Sequence, residues 1–168
     1  MILVEADASG EWDSSTGWAD LAEAAVKAAV AASGARDLIA AAVAAEVSVR
    51  FTSDEEVKRL NAAWRARDKA TNVLSFPMVE PEQLAALARA EGETLLGDIV
   101  LAHGVCAAEA AAKGIAVADH ARHLVVHGTL HLLGCDHERS EAAAEAMEAA
   151  ERRALAALGV ADPYEMQG

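Results

Sequence analysis

VADHARHLVVHGTLHLLGCDH, residues 117–137, carries five of the six histidines of this 168-residue chain. Apolar residues recur with helical period as far as Leu133, and Gly134 is a stop signal, so the stretch predicts a helix over 117–133. At 3.6 residues per turn, His120, His123, His127 and His131 fall on one side, within roughly 80° of arc. A lone histidine would read as an ordinary helix-face residue. Four on one stripe point to ligands.

Helix geometry limits which of them can share an ion. Residues at i and i+4 are roughly 6 Å apart along the axis, and both rings can reach one zinc at about 2.1 Å. Residues at i and i+8 are roughly 12 Å apart and cannot. The pair is therefore 123/127 or 127/131, with a third ligand from elsewhere. Gly134 suits a left-handed C-cap, after which the chain reverses and His137 can fold back toward His127 and His131. The pair 123/127 has no such turn beside it. The expected metal ligands are His127, His131 and His137. Three imidazoles leave a fourth position open, the pattern of a catalytic rather than a structural zinc, one ion per chain. Cys135, one residue past Gly134, is a conceivable fourth ligand but is expected to point away.

Metalloproteases of the H-E-x-x-H type carry their general base directly after the first histidine. Here that residue is Gly128, although the spacing still matches the longer signature with a third histidine. Peptide hydrolysis is therefore disfavoured. Glycine also lets a strand or a substrate approach the helix backbone closely.

Working outward, MILVEAD reads as a strand, and Trp18 to about Ser33 as a helix stopped by Gly34. Residues 47–53 alternate as a half-buried strand, and Ser53 with Glu56 reads as a capping box opening a helix to about Ala66. Residues 72–77 form a third strand ended by Pro77. An alanine-rich helical stretch follows Pro81, and residues 95–102 form a fourth strand. Helices over about 104–113, 117–133 and 140–158 complete the chain. Strands in the first two thirds and helices in the last predict an α+β fold. Its parts are one small mixed four-stranded sheet, five to six helices, and a metal site on the C-terminal helical half. A single domain over residues 1–168 is expected, since no linker or repeat divides it.

The net charge of −13 argues mildly against a broad nucleic-acid surface. No apolar stretch approaches twenty residues, so no membrane span is expected. The N-terminus lacks a basic segment and does not read as a secretory signal. Two cysteines without a paired spacing fit free thiols and a cytoplasmic location.

Against this acidic background, Arg65, Arg67 and Lys69 stand close together in NAAWRARDKATNVLSFP, residues 61–77. Asn61-x3-Arg65, then Thr71 to Pro77, then Leu96-Gly97-Asp98-Ile99, the histidine motif and Pro163-Tyr164 together resemble the YbeY family of metal-dependent endoribonucleases. The resemblance covers about 47–164. Residues 1–46 and 81–94 carry no specific match. Cys135 replaces a common aromatic, and His103 stands where a basic or polar residue is more usual.

The resemblance implies a zinc on His127, His131 and His137, and a catalytic Arg65. It implies cleavage of single-stranded RNA in ribosomal RNA maturation, at the 3′ end of the small-subunit RNA, and a part in ribosome quality control. The expected partners are single-stranded and ribosomal RNA with the ribosome or small-subunit proteins, and neither membrane nor DNA. On chemistry alone, the planar fork of Arg65 suits a pair of phosphate oxygens. Asp98 is a candidate acceptor for a ligand-histidine N–H, or a turn residue. Asp136 could do the same or cap its turn. Ser75 lines the groove or is an ordinary strand residue. His123 lies one turn from His127 and reads as a satisfied helix-face histidine. The alternatives are a zinc hydrolase of the protease type, with a base such as Asp136, and a non-catalytic ribosome-assembly factor with a structural zinc.

Overall fold

The computed structural model describes residues 1–135 and 140–164. Its elements run β1 (Ile2–Ala8), α1 (Trp18–Ala32), a 3-10 turn (Arg36–Ile39), β2 (Ala44–Thr52), α2 (Asp54–Arg65) and β3 (Val73–Pro77). A second 3-10 turn (Pro81–Gln83) and α3 (Leu84–Leu87) follow, then β4 (Glu93–Ala102), α4 (His103–Lys113), α5 (Val117–Leu132) and α6 (Glu141–Ala157). The sheet order is β1-β2-β4-β3. The first three strands are parallel, and β3 is antiparallel to β4 on the edge. The α+β expectation holds.

Both sheet faces are used, unequally. Val47, Val49, Phe51, Ile99 and Leu101 form one large core with Val26, Val125 and Leu130 of the helices above. On the opposite face, Val57 of α2 packs with Leu74, Val100 and Ala102 in a smaller cluster.

Three local readings change. The alanine-rich run after Pro81 forms only a 3-10 turn and the four residues of α3. Leu84 and Leu87 reach the core, and no apolar stripe continues beyond them, so nothing holds a longer helix down. Second, β2 and β4 begin earlier than their alternation indicates. Ala44 pairs with Glu93, and a bulge at Leu96 shifts the register between Glu46 and Val47. Ladder hydrogen bonds with a neighbouring strand carry these ends. Third, Ser53 Oγ does accept the Glu56 N–H. The Glu56 carboxylate, however, bonds Arg50 and Arg59 instead of closing a capping box.

The end of α5 is the turn the sequence calls for. Gly134 has φ +89°. Its N–H donates to His131 O and the Cys135 N–H to Leu130 O, both at 3.0 Å, which is a Schellman closure. A β-carbon there would also stand 2.9 Å from Pro81 Cβ. We expect Gly134→Ala to lose about 1–2 kcal/mol of stability from the left-handed backbone alone, read by urea unfolding. A variant as stable as the parent would remove this account of the turn.

A groove between the histidine helix and the edge strand

His127 and His131 lie one turn apart on α5, and their Nε2 atoms are 3.1 Å apart. Two nitrogens bound to one tetrahedral zinc at 2.0–2.1 Å would be separated by about 3.3 Å. The pair is thus already in the arrangement of an i, i+4 chelate. His127 Nδ1 lies 2.5 Å from Glu151 Oε1 on α6. That contact places the imidazole proton on Nδ1, which leaves Nε2 as the basic nitrogen.

Glu151 is 1% exposed. Besides His127, it receives His123 Nε2 at 3.2 Å and the Tyr164 hydroxyl, both on Oε2. Burial pushes its pKa up, but the hydrogen bonds from His123, His127 and Tyr164 prevail and hold the carboxyl far below the usual range. Burial and this anion together push the Tyr164 hydroxyl well above its ordinary value. Glu151 is the acceptor that sequence reasoning sought at Asp98. The signal for it was present: Met147, Ala150, Ala154 and Leu155 form the buried stripe of α6, and Glu151 interrupts it. A carboxylate on a core stripe needs a partner.

Asp98 lies elsewhere. It stands beside Ser48 and Phe76 in the strand register and lines a different groove with them. The four-histidine stripe also divides. His120 is buried and pairs at 2.8 Å with Glu109, which accepts the Asn72 amide as well. Asn72 Oδ1 in turn accepts the Val73 N–H at 2.7 Å, fastening the start of β3. Burial pushes His120 down, partly opposed by Glu109. His123, read as a bystander, belongs to the Glu151 network.

Arg65 closes the other wall. One Nη donates to Ser75 O at 2.6 Å, and the guanidinium lies 5.6 Å from the Phe76 ring centroid. Asn61, 2% exposed, holds the loop that follows. Its side-chain amide donates to Lys69 O at 2.9 Å, and its backbone carbonyl accepts the Arg67 N–H at 3.2 Å. The resulting groove is about 590 Å³ and is lined by Arg65, Arg67, Lys69, Asn72, His127 and His131 among others. Ser75 lines it too, the groove-side alternative for that residue. Cys135 does as well, contrary to the expectation that it points away. The Schellman turn brings it back along α5. Burial and the charge of Glu151 raise its thiol pKa, which opposes the thiolate that a metal would require.

Gly128 is buried with Ile99 Cγ2 of β4 3.0 Å from where its β-carbon would stand. The close approach is made by a strand. Among the described residues no three His, Cys, Asp or Glu side chains gather into a metal-holding group. His137, the expected third ligand, and Asp136 lie outside the described residues. His127 and His131, whose Nε2 atoms converge, are of the donor type that a zinc takes, and two such nitrogens would need further donors to hold one.

Replacing Glu151 should be costly. Glu151→Gln keeps the shape but halves the acceptor oxygens facing three donors, and we expect a loss of about 3 kcal/mol in denaturant unfolding. Tyr164→Phe should lose about 1 kcal/mol. Because the carboxyl is held low, its contribution is full above the ordinary carboxylate range. It disappears only as pH falls through the depressed value. Equal stability of Glu151→Gln and parent would show that the network contributes nothing.

The sequence matches the family model for "Endoribonuclease YbeY" over residues 9–159. A protein of that name from Rhizorhabdus wittichii is 53% identical, covering 98% of this chain and 97% of its own. One from Novosphingobium aromaticivorans is 49% identical, with the same coverage of both chains. These alignments run through residues 1–46, where sequence inspection finds no specific match. The solution structure of TM1509 from Thermotoga maritima shares the fold, with a TM-score of 0.57 and 22% identity over 97% of this chain and 98% of that one.

Proposed function

Since the chain belongs to the endoribonuclease YbeY family, we propose that it is a zinc-dependent endoribonuclease that cuts single-stranded RNA. One observation carries the reading most. The chain has 14 lysines and arginines against 27 acidic residues, yet the groove at His127 and His131 presents Arg65, Arg67 and Lys69. No acidic side chain lines it among the described residues. Such a groove suits a polyanion.

In this reading His127, His131 and His137 hold one zinc, which would supply positive charge and Lewis acidity at the groove floor. Glu151 keeps the His127 proton on Nδ1 and the ring oriented. Arg65, its plane fixed by Ser75 O and Phe76, presents its remaining N–H donors to the oxygens of the scissile phosphate. Arg67 and Lys69, on the loop that Asn61 fastens, take neighbouring phosphates. One wall is an edge strand and the other a helix, and in our reading the groove takes a single extended strand, whose exposed phosphates reach the cations. Family membership supports a role in ribosomal RNA processing, and our reading extends it to the 3′ end of the small-subunit RNA, to ribosome quality control and to contact with small-subunit proteins. No helix of the described residues is long and apolar enough to cross a membrane. The protease alternative loses ground at Gly128, where a glutamate side chain would start against Ile99.

The test uses purified protein, elemental analysis and a defined single-stranded RNA, with casein digested in parallel. We expect one zinc per chain, RNA cleavage abolished by chelation and restored by zinc, and intact casein. Arg65→Ala should lower kcat/KM by about 10²–10³ without loss of structure by circular dichroism, and Arg65→Lys should recover part of it. Undiminished cleavage by chelated protein would overturn the metal dependence. Undiminished cleavage by Arg65→Ala would remove the role given to that arginine.

A further inference from the structure

A second groove of about 630 Å³ lies on the face of the sheet away from α5. It shares Arg65 and Ser75 with the first. Its rim is Trp64. Val57, Leu60 and Trp64 follow one another at helical spacing along the inward stripe of α2. Val57 is fully buried and Leu60 half-buried, but Trp64 is 73% exposed. An indole on the stripe that should be buried, left uncovered, has a stacking surface to offer. Met78, 62% exposed, and Phe76 line the same groove.

The floor is polar. Ser48, Asp98 and Phe76 stand side by side across β2, β4 and β3. Arg50 is engaged with Glu56 at 2.9 Å. No hydrogen bond or ion pair within the described residues occupies Asp98. A carboxylate there repels a phosphate, so this groove differs in kind from its neighbour. It offers an aromatic plate, a thioether and a hydrogen-bond acceptor.

We propose that this groove receives one nucleobase of the RNA strand, next to the phosphate at Arg65. The base stacks on Trp64, and its edge donates to Asp98. The inference rests on the nuclease reading above. The chemistry ranks the bases. A carboxylate accepts from amino and imino N–H groups and is repelled by carbonyl oxygens. Guanine presents N1–H and N2–H side by side, matching two carboxylate oxygens. Cytosine and adenine present one amino group each. Uracil presents a single N3–H between two carbonyls and fits worst. Arg65 is the hinge of the arrangement: its guanidinium lies over Phe76 and borders both grooves, so phosphate and base are bound on either side of one residue.

Two measurements test this separately from the nuclease activity. Trp12 and Trp18 are 4% and 6% exposed, so Trp64 is the tryptophan that a ligand can reach. Short 2′-O-methyl oligonucleotides, which resist cleavage, should quench the tryptophan emission of the zinc-loaded protein. Guanine-containing strands should do so at lower concentration than oligouridine, and Trp64→Phe should lose the response. In cleavage assays, Trp64→Ala should raise KM by about 10- to 100-fold and leave kcat largely in place, and Trp64→Phe should restore most of the affinity. Asp98→Asn should flatten the difference between guanine and uridine beside the cut. If the parent cleaves RNA but Trp64→Ala keeps its KM, the base site is wrong and the nuclease reading stands. If the parent binds and quenches but does not cleave, the nuclease reading fails while the base site survives. Quenching without base preference would overturn the role of Asp98.

Discussion

At residue 128, α5 comes so near the sheet that an added β-carbon would stand 3.0 Å from Ile99 Cγ2. The strand answers with a glycine of its own. A β-carbon on Gly97 would be 2.6 Å from Leu132 Cδ2. Two missing side chains, one on each element, let helix and strand meet at two points about one turn of helix apart. His127 and His131 flank the first of these points. The tight seam therefore sets how far the histidines stand from β3, and hence from Arg65. A wider seam would carry the histidines away from the arginine, and the groove would lose one wall.

The second constraint is electrostatic. A carboxylate as deeply buried as Glu151 is tolerated only when its hydrogen bonds replace water. It has three donors: two histidines of α5 and Tyr164, in the segment beyond α6. The same bonds that stabilise the charge fix the tautomer of His127. Stability and site chemistry are thus coupled through one residue. The C-terminal Pro163-Tyr164 pair has a physical role in this, since the hydroxyl completes the set of donors.

Much of this was legible in the sequence because it is local. The helical stripe, the i, i+4 pair, the Gly134 closure and the Ser53 cap depend on spacing within a few residues. The order of strands and helices likewise points to the α+β class. What escaped depends on tertiary placement. Glu151 lies twenty residues beyond His131, and only the packing of α6 on α5 brings it to His127. Asp98 was a fair candidate in one dimension, yet alternation along β4 turns it to the other face. His120 shares the stripe but is drawn off by Glu109 of α4. The failure of the run after Pro81 to extend as a helix reflects missing tertiary support, which propensity cannot register. Residues 1–46 carry no motif, but they supply β1 and α1, whose contribution is core and not chemistry.

The absence of a glutamate at position 128 now has a structural cause. In this fold the side chain of residue 128 would point into the seam with β4, not into the groove. A glutamate there would start against Ile99 and would push α5 off the sheet. The protease base and this close packing exclude each other. Once the helix is docked so tightly, any group beside the two histidines that manages protons or charge in the groove has to come from outside α5. The elements that reach it are the β3 edge and the loop before it, where Asn61 fastens the backbone and Arg65 is fixed by the Ser75 carbonyl. These are cations, not carboxylates. A site so composed favours a substrate that brings its own negative charge, and a peptide bond does not.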